Sequence, residues 1–132
     1  MEKIYNWENK SIVIAEDLDM NFRLLELTLK KTKINILRAK NGKEAVNFVH
    51  EKLNGTKQID AILMDIQMPE MSGLEATISI KKIFPQLPII AQTAYALSDE
   101  KEKSYEAGCD DYISKPINRL ELLSKLEKYL KE

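Results

Sequence analysis

Short apolar segments alternate with longer amphipathic segments along the chain. Each short segment is long enough for a strand and rich in isoleucine, and the first, third and fourth are almost continuously apolar. They are residues 11–15, 34–39, 60–64, 88–92 and 111–114. An apolar run without interruption is typical of a strand that is buried on both faces. The pattern therefore predicts five strands inside the protein.

The segments between the strands carry apolar side chains at helical spacing, which predicts amphipathic helices. The stripes are Leu18, Phe22, Leu25 and Leu29 for the first helix, Val46, Val49 and Leu53 for the second, Leu74, Ile78, Ile80 and Ile83 for the third, and Leu123, Leu126 and Leu130 for the fifth. Asp19 is a candidate cap for the first helix, and Asn118, with Glu121 three positions later, for the fifth. Regular alternation of strands and helices favours a parallel sheet with helices on both faces.

The fourth helix differs from the others. It is predicted to begin at Ser98 and end at Gly108, and it offers Tyr105 and Ala107 as its apolar anchors. Weak docking suits a helix that moves or binds a partner. An ordinary, well-solvated surface helix would have the same composition.

Length and composition are those of one globular domain. The 132 residues include 44% apolar residues, and 20 basic side chains against 21 acidic ones give a net charge of −1. This balance provides no general attraction to nucleic acid or to an anionic membrane. Residues 1–10 are predicted to be a lead-in or linker that contains Trp7, and residues 11–132 the domain. Because the sequence has neither a membrane-length apolar run nor a signal peptide, we expect a cytoplasmic protein.

Polar residues follow four of the predicted strands at their carboxyl ends. Glu16 and Asp17 follow the first strand and Asp65 the third, while Thr93 follows the fourth and Lys115 the fifth. Taken singly, each has an ordinary structural explanation, as a turn former, a partner for backbone groups or a surface charge. Together they indicate a ligand site, because ligands of open parallel sheets bind outside the carboxyl ends of the strands.

Three carboxylates in one crevice repel each other, and a divalent cation relieves the repulsion. Since the candidate ligands are all oxygens, we expect a hard cation, Mg²⁺. One such ion and one ammonium group would neutralise the three acids. A neutral site that contains a cation, an ammonium and a hydroxyl is suited to receive a phosphoryl group.

These residues and their surroundings resemble the receiver domain of bacterial two-component response regulators. The resemblance covers about residues 10–131 and rests on four segments in order, namely IAEDLD, ILMDIQMPEMSGLEA, QTA and DDYISKP. It implies an α/β fold of the flavodoxin-like type, with a doubly wound five-stranded parallel sheet in the order 2-1-3-4-5 and five helices.

The resemblance also implies roles for the site residues. Asp65 would accept a phosphoryl group from a phosphohistidine on a sensor histidine kinase or a histidine phosphotransfer domain. Mg²⁺ would be held by Asp17, by Asp65 and by the backbone carbonyl of Gln67, with Glu16 acting through a water molecule. Phosphoryl transfer depends mainly on positioning and on neutralising the equatorial oxygens, and Lys115 and Thr93 have suitable groups.

Further positions are implied to control signalling. Thr93 would move towards the phosphoryl group and allow Tyr112 to turn inward, which would remodel the surface of the fourth helix, fifth strand and fifth helix. Gln67 and Tyr95 would border the path of the hydrolytic water and tune the lifetime of the phosphorylated state. Three residues are implied to be structural: Pro69 and Gly73 in the loop after Asp65, and Pro116, whose bond to Lys115 resembles the cis peptide of the family.

Other functions remain open at this point. A Mg²⁺-dependent phosphatase of the haloacid dehalogenase type also uses an aspartate after a strand, but it needs a second acid at the position of Gln67. A degenerate receiver could serve only as a docking module. As a separate chain we expect a phosphoacceptor with autodephosphorylation and not a conventional enzyme. QMPEMSGLEAT and the lead-in with Trp7 favour the receiver of a hybrid histidine kinase over a free-standing receiver.

Overall fold

The computed structural model describes residues 3–94 and 98–130 of the chain. Strands and helices alternate through these ranges, and a short 3₁₀ turn at Lys30–Thr32 follows the first helix. The elements are β1 Ser11–Ala15, α1 Asp19–Leu29, β2 Asn35–Ala39, α2 Gly42–Leu53, β3 Ala61–Asp65, α3 Gly73–Ile83, β4 Ile89–Thr93, α4 Ser98–Ala107, β5 Asp111–Ser114 and α5 Arg119–Tyr129.

The five strands form one parallel sheet in the order β2-β1-β3-β4-β5. Parallel neighbours need a crossover connection, and the helices provide it. The predicted fold class, strand order and alternation of elements are therefore confirmed. This order places β1 beside β3 and β3 beside β4, so that their carboxyl ends lie along one edge of the sheet.

The sheet is buried on both faces because its side chains alternate between two apolar cores. Ile12 and Ile14 of β1 belong to the core that includes residues of α1 and α5, whereas Val13 and Ala15 belong to the core that includes residues of α2 and α3. Successive side chains of a strand point to opposite faces, which is why a continuous apolar run fills both cores.

Trp7 packs into the core beside α1 and α5, although it precedes the first strand. Its side chain is 8% exposed, and its backbone N–H donates to the carbonyl of Thr32 at 2.7 Å. The ring of Tyr5 lies beside it, with 5.0 Å between the ring centroids. Residues 5–7 therefore pack against the core that includes residues of α1 and α5.

The predicted start of the first helix is wrong by one residue. Leu18 occupies the capping position in an extended conformation and makes no side-chain capping bond. Asp19 is the first helical residue, and its carboxylate pairs with Arg38 at 2.7 Å. The backbone N–H of Leu18 instead donates to the carboxylate of Glu16 at 3.3 Å. The residue before α1 is therefore held by a hydrogen bond to Glu16, and Asp19 does not cap the helix.

Several residues of the predicted apolar stripes are exposed. Leu18, Leu53 and Ile78 all expose about half of their side chains or more. Leu18 is the capping residue before α1, Leu53 is the last residue of α2, and Ile78 lies beside the buried face of α3. In α4 the predicted anchor Tyr105 is also exposed, and the buried residue is its neighbour Ser104. No helix in the described parts of the chain combines the length and apolar character needed to cross a membrane.

Candidate functional site

Five residues predicted for the site lie at the carboxyl edge of the sheet. Glu16 and Asp17 follow β1, and Lys115 follows β5, while Asp65 and Thr93 are the last residues of β3 and β4. Glu16, Asp65 and Thr93 are buried, whereas Asp17 and Lys115 are partly exposed. The edge therefore presents a mostly enclosed group of charges with access to solvent on one side.

The three acids form one cluster. Glu16, Asp17 and Asp65 each place one carboxylate oxygen within 4.8 Å of the others. Such a set of hard oxygen ligands could hold a metal ion. The prediction that these residues lie together is confirmed in geometry, although their individual roles are not.

Lys115 bridges two of the acids. Its Nζ lies 3.1 Å from Oδ2 of Asp65 and 3.3 Å from Oε1 of Glu16. Burial lowers the pKa of Lys115, but the charges of Asp65 and Glu16 outweigh burial and raise it above the ordinary value. The group is therefore a permanent cation at neutral pH. The Lys115–Pro116 peptide bond is cis, as the resemblance implied, and Pro116 itself is exposed.

The carboxyl group of Glu16 is fully buried in the cluster, and its pKa is raised. Burial, reinforced by the charge of Asp65, raises the pKa of Glu16 to about 7, although Lys115 acts in the opposite direction. The repulsion expected among the acids is therefore real and is only partly relieved by the lysine. An additional cation in the cluster would favour the ionised form of Glu16.

Arg38 of β2 supports this cluster and was missed by the sequence analysis. Its Nε and a terminal nitrogen donate to the backbone carbonyl of Glu16, at 3.3 and 3.1 Å, and its guanidinium also pairs with Asp19. The guanidinium carbon lies 4.7 Å from the centroid of the Phe22 ring. The signal available in the sequence was an arginine among the apolar residues at 36–39 of β2.

The backbone after Asp65 fixes the orientation of its carboxylate. Oδ1 of Asp65 accepts from the backbone N–H of Gln67 at 3.2 Å, and the side chain of Gln67 is exposed. Gly73 approaches so closely that a Cβ there would lie 2.0 Å from the backbone oxygen of Asp65. Pro69 lies exposed in the connecting loop, where its carbonyl accepts from the N–H of Met71 at 2.8 Å.

Thr93 contacts the first turn of α4. Its Oγ1 donates to Oε2 of Glu100 at 2.5 Å. Glu100, with Asp17 and Gln67, lines a cleft of about 530 Å³ between the loop after β3 and α4. Glu100 was not predicted to belong to the site, because its approach to Thr93 depends on how α4 is placed on the sheet.

Tyr112, the second residue of β5, is partly buried. Its ring meets the ring of Tyr105 edge-on, with centroids 6.2 Å apart, and the ammonium groups of Lys101 and Lys125 lie 4.9 and 5.0 Å from its centroid. Each of these contacts between an ammonium group and the aromatic ring is favourable. Tyr95, the other aromatic residue predicted near the site, lies outside the described residues.

The comparison with protein families decides what kind of site this is. The model of the response regulator receiver domain matches residues 12–127. The chain belongs to the response regulator receiver family. It is a receiver domain of two-component signalling, as its motifs predicted.

Two curated relatives show the contexts in which similar receivers occur. The hybrid signal transduction histidine kinase I of Dictyostelium discoideum is 48% identical over 113 residues, which are 83% of this chain but 6% of the kinase. The polar-differentiation response regulator DivK of Brucella anthropi is 37% identical over 123 residues, which are 92% of this chain and 96% of DivK. This receiver therefore corresponds to a small part of the first relative and to nearly all of the second.

Solved receiver structures are similar over almost the whole domain. The receiver of Ssk1 from Saccharomyces cerevisiae, crystallised with the histidine phosphotransfer protein Ypd1, is 32% identical with a TM-score of 0.82, over 96% of this chain and 91% of that one. The receiver of sensor histidine kinase PA1611 from Pseudomonas aeruginosa, with magnesium in its active site cleft, has the same identity and TM-score, over 92% and 97%.

Proposed function

We propose that this receiver domain accepts a phosphoryl group on Asp65 from a phosphohistidine, in a reaction that requires Mg²⁺. One observation carries the proposal: Asp65 ends the central strand β3, between the two acids that follow β1 and Thr93 at the end of β4. Its carboxylate is held there by Lys115 on Oδ2 and by the N–H of Gln67 on Oδ1. A carboxylate oriented in this way has a defined direction of attack, and proximity of this kind lowers the barrier.

In the transfer, a carboxylate oxygen of Asp65 forms a bond to phosphorus, and the bond between phosphorus and the histidine nitrogen breaks. Lys115 lies beside the oxygens that gain charge and stabilises them. The hydroxyl group of Thr93 donates a hydrogen bond to one of these oxygens. The product is an acyl phosphate with about one more negative charge than the carboxylate that it replaces.

The acid cluster suits Mg²⁺. The carboxylates of Asp17 and Asp65 and the backbone carbonyl of Gln67 would hold the ion, with Glu16 acting through a water molecule. The three carboxylates lie within 4.8 Å of one another, and the hard oxygens that they offer are the ligands that Mg²⁺ prefers. When bound, Mg²⁺ neutralises the phosphoryl oxygens and draws the acids together.

The phosphodonor is proposed to be a sensor histidine kinase or a histidine phosphotransfer domain. The face of α1 next to Asp17 is apolar and exposed, and it includes Leu18, Met20, Leu24 and Leu27. A helical phosphohistidine domain that packed on this face would bring its histidine to the acid cluster. The crystal structure of Ypd1 with the similar Ssk1 receiver supports this type of partner.

The output is proposed to be a change in the surface of α4, β5 and α5. Thr93 would move to the phosphoryl group, and the Tyr112 ring would turn inward from its position between Lys101 and Lys125. Gln67 and Tyr95 would set the rate of autodephosphorylation, because both positions follow a site residue by two. This is a shift between two conformations, driven by the bonds that the phosphoryl group gains in one of them.

The parent protein is proposed to be cytoplasmic at this domain, and a hybrid histidine kinase is the favoured context because of the likeness to the Dictyostelium kinase. The receiver is proposed to span residues 11–132, with residues 1–10 as a lead-in that packs on it through Trp7.

Phosphotransfer tests the proposal. Wild type, Asp65→Asn and the control Asp99→Asn, an exposed acid at the start of α4, are incubated with Mg²⁺ and phosphoramidate, whose bond between phosphorus and nitrogen imitates that of phosphohistidine. We expect intact-protein mass spectrometry to show one phosphoryl group on wild type and on Asp99→Asn, and none on Asp65→Asn. Equal labelling of Asp65→Asn contradicts the proposal. Repeated turnover of small phosphate esters would instead favour a phosphatase.

A further inference from the structure

The hydrogen bond between Thr93 and Glu100 joins the sheet to the first turn of α4. Thr93 is buried at the end of β4, and its Oγ1 lies 2.5 Å from Oε2 of Glu100. An ionised carboxylate only accepts hydrogen bonds, so the hydroxyl of Thr93 is the donor. A bond of this type, with a charged acceptor, is about twice as strong as one between neutral groups.

A hydroxyl group has one proton to donate. If the Thr93 hydroxyl instead donates its hydrogen bond to a phosphoryl oxygen, its hydrogen bond to Glu100 must break. We propose that Glu100 is a positioning residue that holds the Thr93 hydroxyl in the unphosphorylated conformation and thereby opposes the active state. The inference rests on the proposed phosphorylation of Asp65, and it adds a residue on α4 that competes with the phosphoryl group for Thr93.

The surroundings of Glu100 make it suited to this role. It lies in the first turn of α4, where a negative charge interacts favourably with the helix dipole. Its backbone carbonyl accepts from the hydroxyl of the buried Ser104 at 2.8 Å, which ties the turn to the interior. Glu100 therefore belongs to a hydrogen-bonded turn of α4, so that a change in its contact with Thr93 acts on this turn.

Charge acts in the same direction once Asp65 is phosphorylated. Glu100 lines the cleft that also contains Asp17 and Gln67, the residues beside Asp65. A doubly charged phosphoryl group on Asp65 repels the Glu100 carboxylate. This repulsion begins when Glu100 loses its hydrogen bond from Thr93. The loss of one bond and the new repulsion together release the first turn of α4, which connects the site to the surface around Tyr112.

Binding of beryllofluoride, a stable mimic of the phosphoryl group, measures the cost of breaking this bond. The apparent dissociation constant is measured by calorimetry with Mg²⁺ for wild type, Glu100→Ala, Glu100→Gln and the control Glu102→Ala. Glu102 is an exposed acid on the same helix, so its removal changes the net charge equally. We expect binding about three- to tenfold tighter for Glu100→Ala, a smaller gain for Glu100→Gln, which keeps an acceptor oxygen, and no gain for Glu102→Ala.

A second background separates positioning from a general structural effect. The variant Thr93→Ala has no hydroxyl group for Glu100 to bind. Adding Glu100→Ala to this variant should therefore change its affinity for beryllofluoride by less than a factor of two. An equal gain in both backgrounds, or unchanged or weaker binding by Glu100→Ala alone, would overturn the inference. If wild type binds no beryllofluoride, both the inference and the proposed function fail. If wild type and Glu100→Ala bind beryllofluoride equally well, the inference about Glu100 is overturned, but the proposed function is not.

Discussion

The ammonium group of Lys115 contacts Oδ2 of Asp65 at 3.1 Å, at the oxygen opposite the one that accepts from Gln67. The same ammonium also contacts Glu16, so one cation restrains two buried acids. This relationship makes Lys115 a counter-ion of the two acids, and we propose that it also stabilises the reacting oxygens during phosphoryl transfer. The two roles predict different consequences for its removal.

Replacing Lys115 with methionine should slow phosphorylation of Asp65 by at least about 100-fold, because the charge that stabilises the reacting oxygens is lost. The rate is measured as phosphoryl incorporation from phosphoramidate with Mg²⁺. Lys43→Met, which removes an exposed lysine of α2, serves as the control and should react like wild type. A Lys115→Met rate within a factor of three of wild type would show that Lys115 is only a structural counter-ion.

The raised pKa of Glu16 predicts a specific dependence of stability on pH. Because burial and Asp65 raise this pKa from 4.5 to about 7, the folded protein binds a proton that the unfolded chain releases between these values. The contribution of Glu16 to stability is therefore fully present below pH 4.5 and is lost as the pH rises through 7.

Urea unfolding without metal, from about pH 5 to about pH 8, measures this dependence. The free energy of unfolding should fall by no more than about 1.4 kcal/mol per pH unit, the limit for one proton. Glu16→Gln should flatten the curve over this range, whereas Glu102→Gln, at an exposed position, should leave its slope intact. A Glu16→Gln curve as steep as that of wild type would assign the titration to another group.

The sequence predicted the elements and the main site residues because both follow from local rules. Apolar runs identified the strands, and the positions of Glu16, Asp65 and Lys115 after strands brought them to one edge as soon as the sheet was assumed to be parallel. Arg38 and Glu100 could not be found in this way. Their contacts depend on the pairing of β2 with β1 and on the placement of α4, which are tertiary relationships. The arginine in β2 marks an unusual position, but the sequence does not indicate its partners.

The positions of the helices were predicted better than the burial of their individual residues. Leu53 and Ile78 fit the helical spacing but lie at the margin of the buried stripe, where one step around the helix separates core from solvent. The start of α1 was misplaced because Glu16, and not Asp19, accepts from the first free N–H. Long-range contacts thus decided the details that spacing left open.

Gly73 should be essential for the geometry of the phosphorylation site. A methyl group at this position would lie 2.0 Å from the backbone oxygen of Asp65, so Gly73→Ala must displace that backbone. We expect phosphorylation to slow by about tenfold or more and stability to fall by about 2 kcal/mol. Gly55→Ala, strained by a φ of 80° but surrounded by open space, should lose stability and keep its phosphorylation rate. Parallel losses of rate in both variants would point to a general effect of destabilisation.

Trp7 should contribute to folding although it precedes the sheet. Trp7→Ala is expected to lower the free energy of unfolding by about 3 kcal/mol, because it empties a buried position beside α1 and α5. The matched control is Ile4→Ala in the same segment, where the side chain is 90% exposed and a change below about 0.5 kcal/mol is expected. Urea unfolding of both variants distinguishes a packed segment from a passive linker, since similar small effects would indicate that Trp7 is not needed.

The central claim is that the phosphoryl group is attached to Asp65, and chemical mapping tests it most directly. Borohydride reduces an acyl phosphate to an alcohol, which marks the modified side chain permanently, and peptide mass spectrometry then locates the mark. After phosphorylation of wild type with Mg²⁺, we predict the reduced side chain at position 65 and at no other acid of the cluster. A mark at position 16 or 17, or a phosphoryl group retained on a hydroxyl or on His50, would contradict the account.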